Sequence, residues 1–173
     1  TDIDWSKVKF GLVDERWINN QSMDSNFYKI SNALGDEITK IATFHPMVYD
    51  QEDEHNNIIL SKKANIEFLN EKTIVILGMG TDGHTASLFP SNRNTEKAIS
   101  QICPDIILNL APDNPKNRIT HNLKSIFKTK KIILYIRGHK KKEVVEKSKI
   151  DLLPISYIIN TPVSYTHLTL PTS

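Results

Sequence analysis

Asp82 and His84 stand on either side of Gly83 in the run Gly78-Met79-Gly80-Thr81-Asp82-Gly83-His84. A carboxylate two residues from an imidazole suits proton transfer near neutral pH, because the carboxylate can fix and polarise the ring. A second candidate group is Asp14-Glu15-Arg16, where the guanidinium suits recognition of an anion or of hydroxyls. A third is Arg137-Gly138-His139-Lys140. All three stand just after strand-like segments, the edge at which open parallel sheets bind ligands. The glycines also match Gly-x-Gly-x-x-Gly, but no acidic residue closes a second strand about 20 residues later, so a nicotinamide site is set aside. The bland alternative is a tight glycine turn with no chemistry.

Those groups need elements to position them. Continuous apolar runs predict strands at residues 8–13, 73–77, 106–110, 131–137 and 155–159. Phe27, Ile30, Leu34, Ile38 and Ile41 recur at three and four, as one helix face does, with Asp24 or Ser25 as N-cap and Gly35 as a weak point. Leu60, Ala64 and Phe68 predict a second helix, with the acidic residues 50–54 near its start. Leu123, Ile126 and Phe127 predict another, capped by Thr120, and residues 140–147 a last one. A helix is also expected to begin at the glycine turn, where its amides could stabilise an anion. Residues 91–95 read as loop, and Pro46 keeps residues 44–49 out of a central strand. Strands alternating with helices indicate an α/β fold, Rossmann-like, with a mostly parallel sheet covered on both faces.

Composition narrows the function classes. The 173 residues carry 22 basic and 20 acidic side chains, a formal net charge of +2, which gives no bulk-charge case for nucleic acid or an acidic membrane. No run approaches the roughly 18 apolar residues of a membrane span. Residues 1–5 show neither a basic nor an apolar leader region. The single cysteine, Cys103, fits a reducing, cytoplasmic setting and reads as structural. His45, His55, His121 and His167 lack metal-ligand spacing with any Cys, Asp or Glu.

The fourteen residues Leu77-Gly78-Met79-Gly80-Thr81-Asp82-Gly83-His84-Thr85-Ala86-Ser87-Leu88-Phe89-Pro90 resemble the signature of the 6-phosphogluconolactonase family. Asp14-Glu15-Arg16-Trp17 followed by Asp24-Ser25-Asn26 is similar to its other signature. Arg118-Ile119-Thr120 and Gly138-x-Lys140 resemble weaker family elements, in the expected order. The resemblance runs from about Val8 to Pro154. Glucosamine-6-phosphate deaminases share the Gly-x-Gly-x-Asp-Gly-His core but continue Ile-Ala-Phe-Asn-Glu-Pro, and their Asp-Glu-Tyr is Asp14-Glu15-Arg16 here. Both departures favour lactonase, and the deaminase is the alternative, with a non-catalytic sugar-phosphate-binding domain as the reading outside enzymology.

The resemblance implies hydrolysis of 6-phosphoglucono-δ-lactone to 6-phosphogluconate in the oxidative pentose phosphate pathway, with no metal and no cofactor. His84 is then the base that activates water and returns the proton to the leaving oxygen, oriented by Asp82, with Asp14 near the sugar ring. Arg16, Gly80, Gly83, Arg118 and Lys140 are the substrate-binding candidates. Lys140 also reads as part of a solvated basic face, His139-Lys140-Lys141-Lys142. The expected partner is the small sugar phosphate lactone, met by a monomer. The resemblance further implies an upstream βα portion with a Ser-Gly-Gly-type phosphate loop. It leaves residues 1–162 as a partial domain and residues 163–173 as a tail unlike the family.

Overall fold

The structure, a computed structural model, describes residues 3–100, 102–161 and 165–170. Strand β1 (Lys9–Gly11) is followed at once by β2 (Asp14–Arg16). The single run expected at residues 8–13 is therefore shorter, and Asp14-Glu15-Arg16 is a strand of its own. Helix α1 (Asn26–Thr39) starts at Ser25, whose hydroxyl accepts the Tyr28 N–H, and kinks at Gly35, where φ is 77°. Both features match the sequence reading. Strand β3 (Thr43–His45) pairs in parallel with β1.

The second expected helix is two, α2 (Glu54–Ala64) and α3 (Ile66–Asn70), separated at Asn65. Asp53 caps α2, accepting the Asn56 N–H at 2.9 Å. Strand β4 (Lys72–Leu77) runs into the glycine turn, and α4 (Arg93–Ile99) comes only afterwards. No helix starts at His84, and residues 93–95 are helical rather than loop. Asn92 supplies the cap of α4 through its side-chain oxygen.

Strands β5 (Ile106–Leu110) and β6 (Asn117–His121) flank the loop that carries Pro112-Asp113-Asn114-Pro115, and β6 pairs antiparallel with both β5 and β2. Thr120 lies inside β6, so the cap of α5 (Leu123–Phe127) is Asn122, two residues later than expected. Strand β7 (Thr129–Arg137) pairs parallel with β4, and α6 (His139–Asp151) follows. Residues 155–159 are not a strand but belong to α7 (Pro154–Ile159), with Pro154 at its start and Ile155 and Ile158 fully buried. Periodicity cannot separate a short buried helix from a buried strand, and proline at the first helical position settles it. Of the stretch 163–173 only Tyr165–Leu170 falls within the described residues; its backbone forms β8, parallel to β7.

The architecture is α/β: parallel ladders β1–β3 and β4–β7–β8, plus the antiparallel sheet β2–β6–β5 that the sequence reading did not foresee. Val75, Leu77, Ile132, Leu134 and Ile136 of β4 and β7 pack with Leu88, Leu123, Ile126, Ile155 and Ile158 in the larger core. A smaller core gathers Leu12, Met47, Val48, Leu69, Ile106 and Ile119. On β4, Ile74 and Ile76 are 52% and 65% exposed. Among the described residues no helix is long and apolar enough to cross a membrane.

Candidate active site

A cleft of about 780 Å³ opens where β4 ends, at the edge expected of an α/β sheet. Its walls carry Asp14, Arg16, Gly80, Asp82, His84 and Arg118, six of the eight residues singled out from the sequence. Residues as far apart in the chain as Asp14 and Arg118 meet there because β2, β6 and the glycine turn converge on one edge.

The glycine turn holds an ordered pair. Asp82 Oδ1 lies 2.6 Å from His84 Nδ1 and also accepts the His84 backbone N–H at 3.2 Å. The imidazole leans against Phe89, with ring centroids 4.7 Å apart. With Nδ1 held by the carboxylate, Nε2 is the ring nitrogen left to exchange a proton. Gly80 makes room for this pair: a Cβ there would fall on His84 Nδ1 and Asp82 Oδ1. Its N–H donates to the His84 carbonyl at 2.9 Å, so Gly80 shapes the turn and its amide is engaged within it. Gly83 is absent from the cleft wall. It adopts φ +82°, a Cβ would stand 2.6 Å from Leu153 Cδ1, and its carbonyl accepts the Ile155 N–H. Gly83 ties the turn to α7, a structural duty in place of the substrate-binding one expected.

Arg16 and Arg118 are register partners across β2 and β6. Like charges directly opposite in an antiparallel pair repel, which makes the pair receptive to an anion. Burial, and then Arg16 opposite it, pulls the Arg118 guanidinium below its ordinary value. Arg118 donates to the Pro115 carbonyl, and Arg16 to the Asn26 side-chain oxygen. Lys140 is exposed and off the wall, whereas its half-buried neighbour Lys141 lines the cleft. On the first turn of α6, adjacent residues point about 100° apart, so a one-residue error moves the ammonium to another face.

Asp14, on the same strand as Arg16, also lines the cleft. Its Oδ2 accepts the Ser87 hydroxyl at 2.6 Å, and its backbone carbonyl accepts Asn26 Nδ2 at 2.9 Å. Burial raises the Asp14 pKa, outweighing the hydrogen bond from Ser87 and the charges of Arg16 and Arg118, which lower it.

Sequence reasoning missed four participants. Glu15, fully buried, accepts the amides of Arg16, Asn26 and Phe27 and the Ser25 hydroxyl at 2.7–2.8 Å, fastening β2 to the start of α1. Carboxylate oxygens at a helix N-terminus meet its unpaired amides, but a partner ten residues upstream leaves no local signal. Ser87 stood within the quoted motif without a role. Asp113 and Lys141 reach the cleft from a loop and a helix whose placement no local pattern gives. Among the described residues no group of three or more His, Cys, Asp or Glu side chains could hold a metal ion.

Fold and cleft together define an α/β protein in which a hydrogen-bonded Asp82–His84 pair lines the same cleft as two arginines. The family model of glucosamine-6-phosphate isomerases/6-phosphogluconolactonase matches residues 1–166, and the chain belongs to that family. A 6-phosphogluconolactonase of Xylella fastidiosa (strain Temecula1) is 33% identical over 165 residues, covering 93% of this chain and 68% of the relative. One from Rhizobium meliloti is 30% identical over 149 residues, covering 86% of this chain and 64% of the relative. The chain thus spans about two thirds of these relatives' lengths. Among solved structures, a 6-phosphogluconolactonase from Shewanella baltica has a TM-score of 0.87 at 24% identity, covering 99% of this chain and 75% of that one. One from Thermotoga maritima has a TM-score of 0.79 at 22% identity, covering 99% and 76%. These two likenesses speak for the fold.

Proposed function

We propose that the cleft hydrolyses 6-phosphoglucono-δ-lactone to 6-phosphogluconate, with His84 as the base that activates water. The observation that carries this reading is the His84 Nδ1–Asp82 Oδ1 contact of 2.6 Å on a wall shared with Arg16 and Arg118. Kinship with 6-phosphogluconolactonases supplies the substrate class.

Ester hydrolysis begins with water attacking the carbonyl carbon while a base takes its proton. Nε2 of His84 is the acceptor, and Asp82 fixes the tautomer and stabilises the imidazolium that forms. Phe89 limits ring rotation by packing against it. Arg16 and Arg118 attract the substrate's anionic end, since paired guanidinium groups match the geometry of phosphate oxygens. Lys141 adds a third cation from α6. The charged and hydroxyl groups on the cleft wall fit a small hydroxylated sugar acid, a solute of the aqueous cell interior.

The test is lactone hydrolysis by the purified chain and by His84→Ala, each corrected for the spontaneous rate. His84→Ala is expected to lose at least about 100-fold in kcat, the usual contribution of a positioned base. Equal rates for the two proteins refute catalysis at this site. Ammonia release from glucosamine 6-phosphate would reassign the chain to the deaminase branch.

A further inference from the structure

Resting on the hydrolytic reading of the cleft, we infer that Asp14, positioned by Ser87, donates the proton to the departing ring oxygen, separately from the base His84. The sequence reading gave both proton transfers to His84. Of the three carboxylates that line the cleft, Asp14 and Asp82 stand in contrasting surroundings, a pattern that divides acid from base. The Asp82 side chain is 42% exposed and is committed to His84 Nδ1. Among the described residues no imidazole is hydrogen-bonded to Asp14, and its side chain accepts from Ser87.

The Ser87 hydroxyl is built in. Ser87 is fully buried, its N–H donates to Thr120 Oγ1 at 3.3 Å, and its carbonyl accepts Asn109 Nδ2 at 2.7 Å. The same Asn109 nitrogen donates to Thr95 Oγ1 at 2.9 Å. Backbone pairing with Thr120 fixes Asp14 in β2. The carboxyl is thereby pinned along one edge while remaining on the cleft wall.

The charged groups facing Asp14 are Arg16 and Glu15 from its own strand and Arg118 from β6; burial outweighs them all and favours the protonated form. A substrate anion seated between the arginines offsets their pull on Asp14, so binding itself favours the acid form.

The step balances. Water adds to the carbonyl carbon as its proton passes to His84 Nε2, and the carbonyl electron pair becomes an oxyanion. As the oxyanion collapses, the bond from that carbon to the ring oxygen breaks, and the ring oxygen takes the Asp14 proton to become a hydroxyl. The product carboxylic acid ionises to solvent, and the imidazolium proton returns to Asp14 through water.

Asp14→Asn and Ser87→Ala are compared on the lactone and on its analogue with sulfur in place of the ring oxygen. A thiolate departs without protonation, so it needs no acid. Asp14→Asn is expected to lose about 100-fold or more in kcat on the oxygen lactone. The loss should be at least about tenfold smaller on the thiolactone, whose turnover also reports an intact site. Ser87→Ala removes a hydrogen bond that favours the carboxylate, so the basic limb of kcat should move to higher pH. Equal losses of Asp14→Asn on both substrates, or an unmoved basic limb in Ser87→Ala, overturn the assignment. If His84→Ala hydrolyses the lactone as fast as the unaltered chain, the underlying hydrolytic reading fails, and that failure is separate from this one.

Discussion

Acid should unfold this protein through His121. The residue ends β6 with 1% exposure, its Nδ1 2.7 Å from Ser125 Oγ. Burial first, and the neighbouring Lys72 ammonium second, hold its pKa near 3, against an ordinary 6.5. In the native state the ring therefore stays neutral where the unfolded chain would protonate it. The sign follows: the unfolded state binds the extra proton, so stability is complete above pH 6.5 and drains away as pH falls towards 3. Each pH unit of descent removes about 1.4 kcal/mol, or about 5 kcal/mol over the whole interval. That is comparable to the entire stability of a small domain. Urea unfolding followed by tryptophan fluorescence, in steps from pH 7 to pH 4, measures it. The control is His121→Gln, which keeps a polar side chain near Ser125 but does not titrate. Carboxylates shared by both proteins cancel in the difference between the curves. By pH 4 the unaltered chain should have lost about 3 kcal/mol more than the variant. Parallel curves would refute the assignment of a neutral, buried His121.

Glu15→Ala strips the buried acceptor from four donors and should destabilise the fold by about 3 kcal/mol or more, read as a lower urea midpoint with unchanged slope. Gly80→Ala drives a methyl group into His84 and Asp82. It should cut kcat about 100-fold while the melting temperature moves little, because the turn can shift the pair outward into the cleft; an unchanged kcat would show that the glycine has no part in the geometry.

The elements read most easily from sequence are those whose signals are local. The spacing from Phe27 to Ile38, the cap at Ser25 and the kink at Gly35 all lie within a few residues of the helix they specify. The strand feeding the glycine turn is a continuous apolar run, and the turn follows from its glycines. Failures came where partners are distant. Thr120 looks like a cap, but β5 and β2 claim it for a ladder. The apolar run 155–159 looks like a strand, but it folds as α7, with Ile155 and Ile158 turned into the core.

The site divides in the same way. Sequence alone singled out Asp82 and His84, two residues apart in a glycine turn, as a carboxylate–imidazole pair; the structure brings them to 2.6 Å, with Gly80 leaving the space for their contact. Sequence also named Asp14, Arg16 and Arg118 as polar groups with work to do. Only the tertiary structure decided that Arg16 and Arg118 are strand partners, that Ser87 holds Asp14 from 73 residues away, and that Lys141 rather than Lys140 reaches the cleft. The physical reason is range: turns and caps are closed by bonds between near neighbours, whereas burial, charge pairing and the proton affinity of Asp14 depend on segments that meet only when the chain has folded.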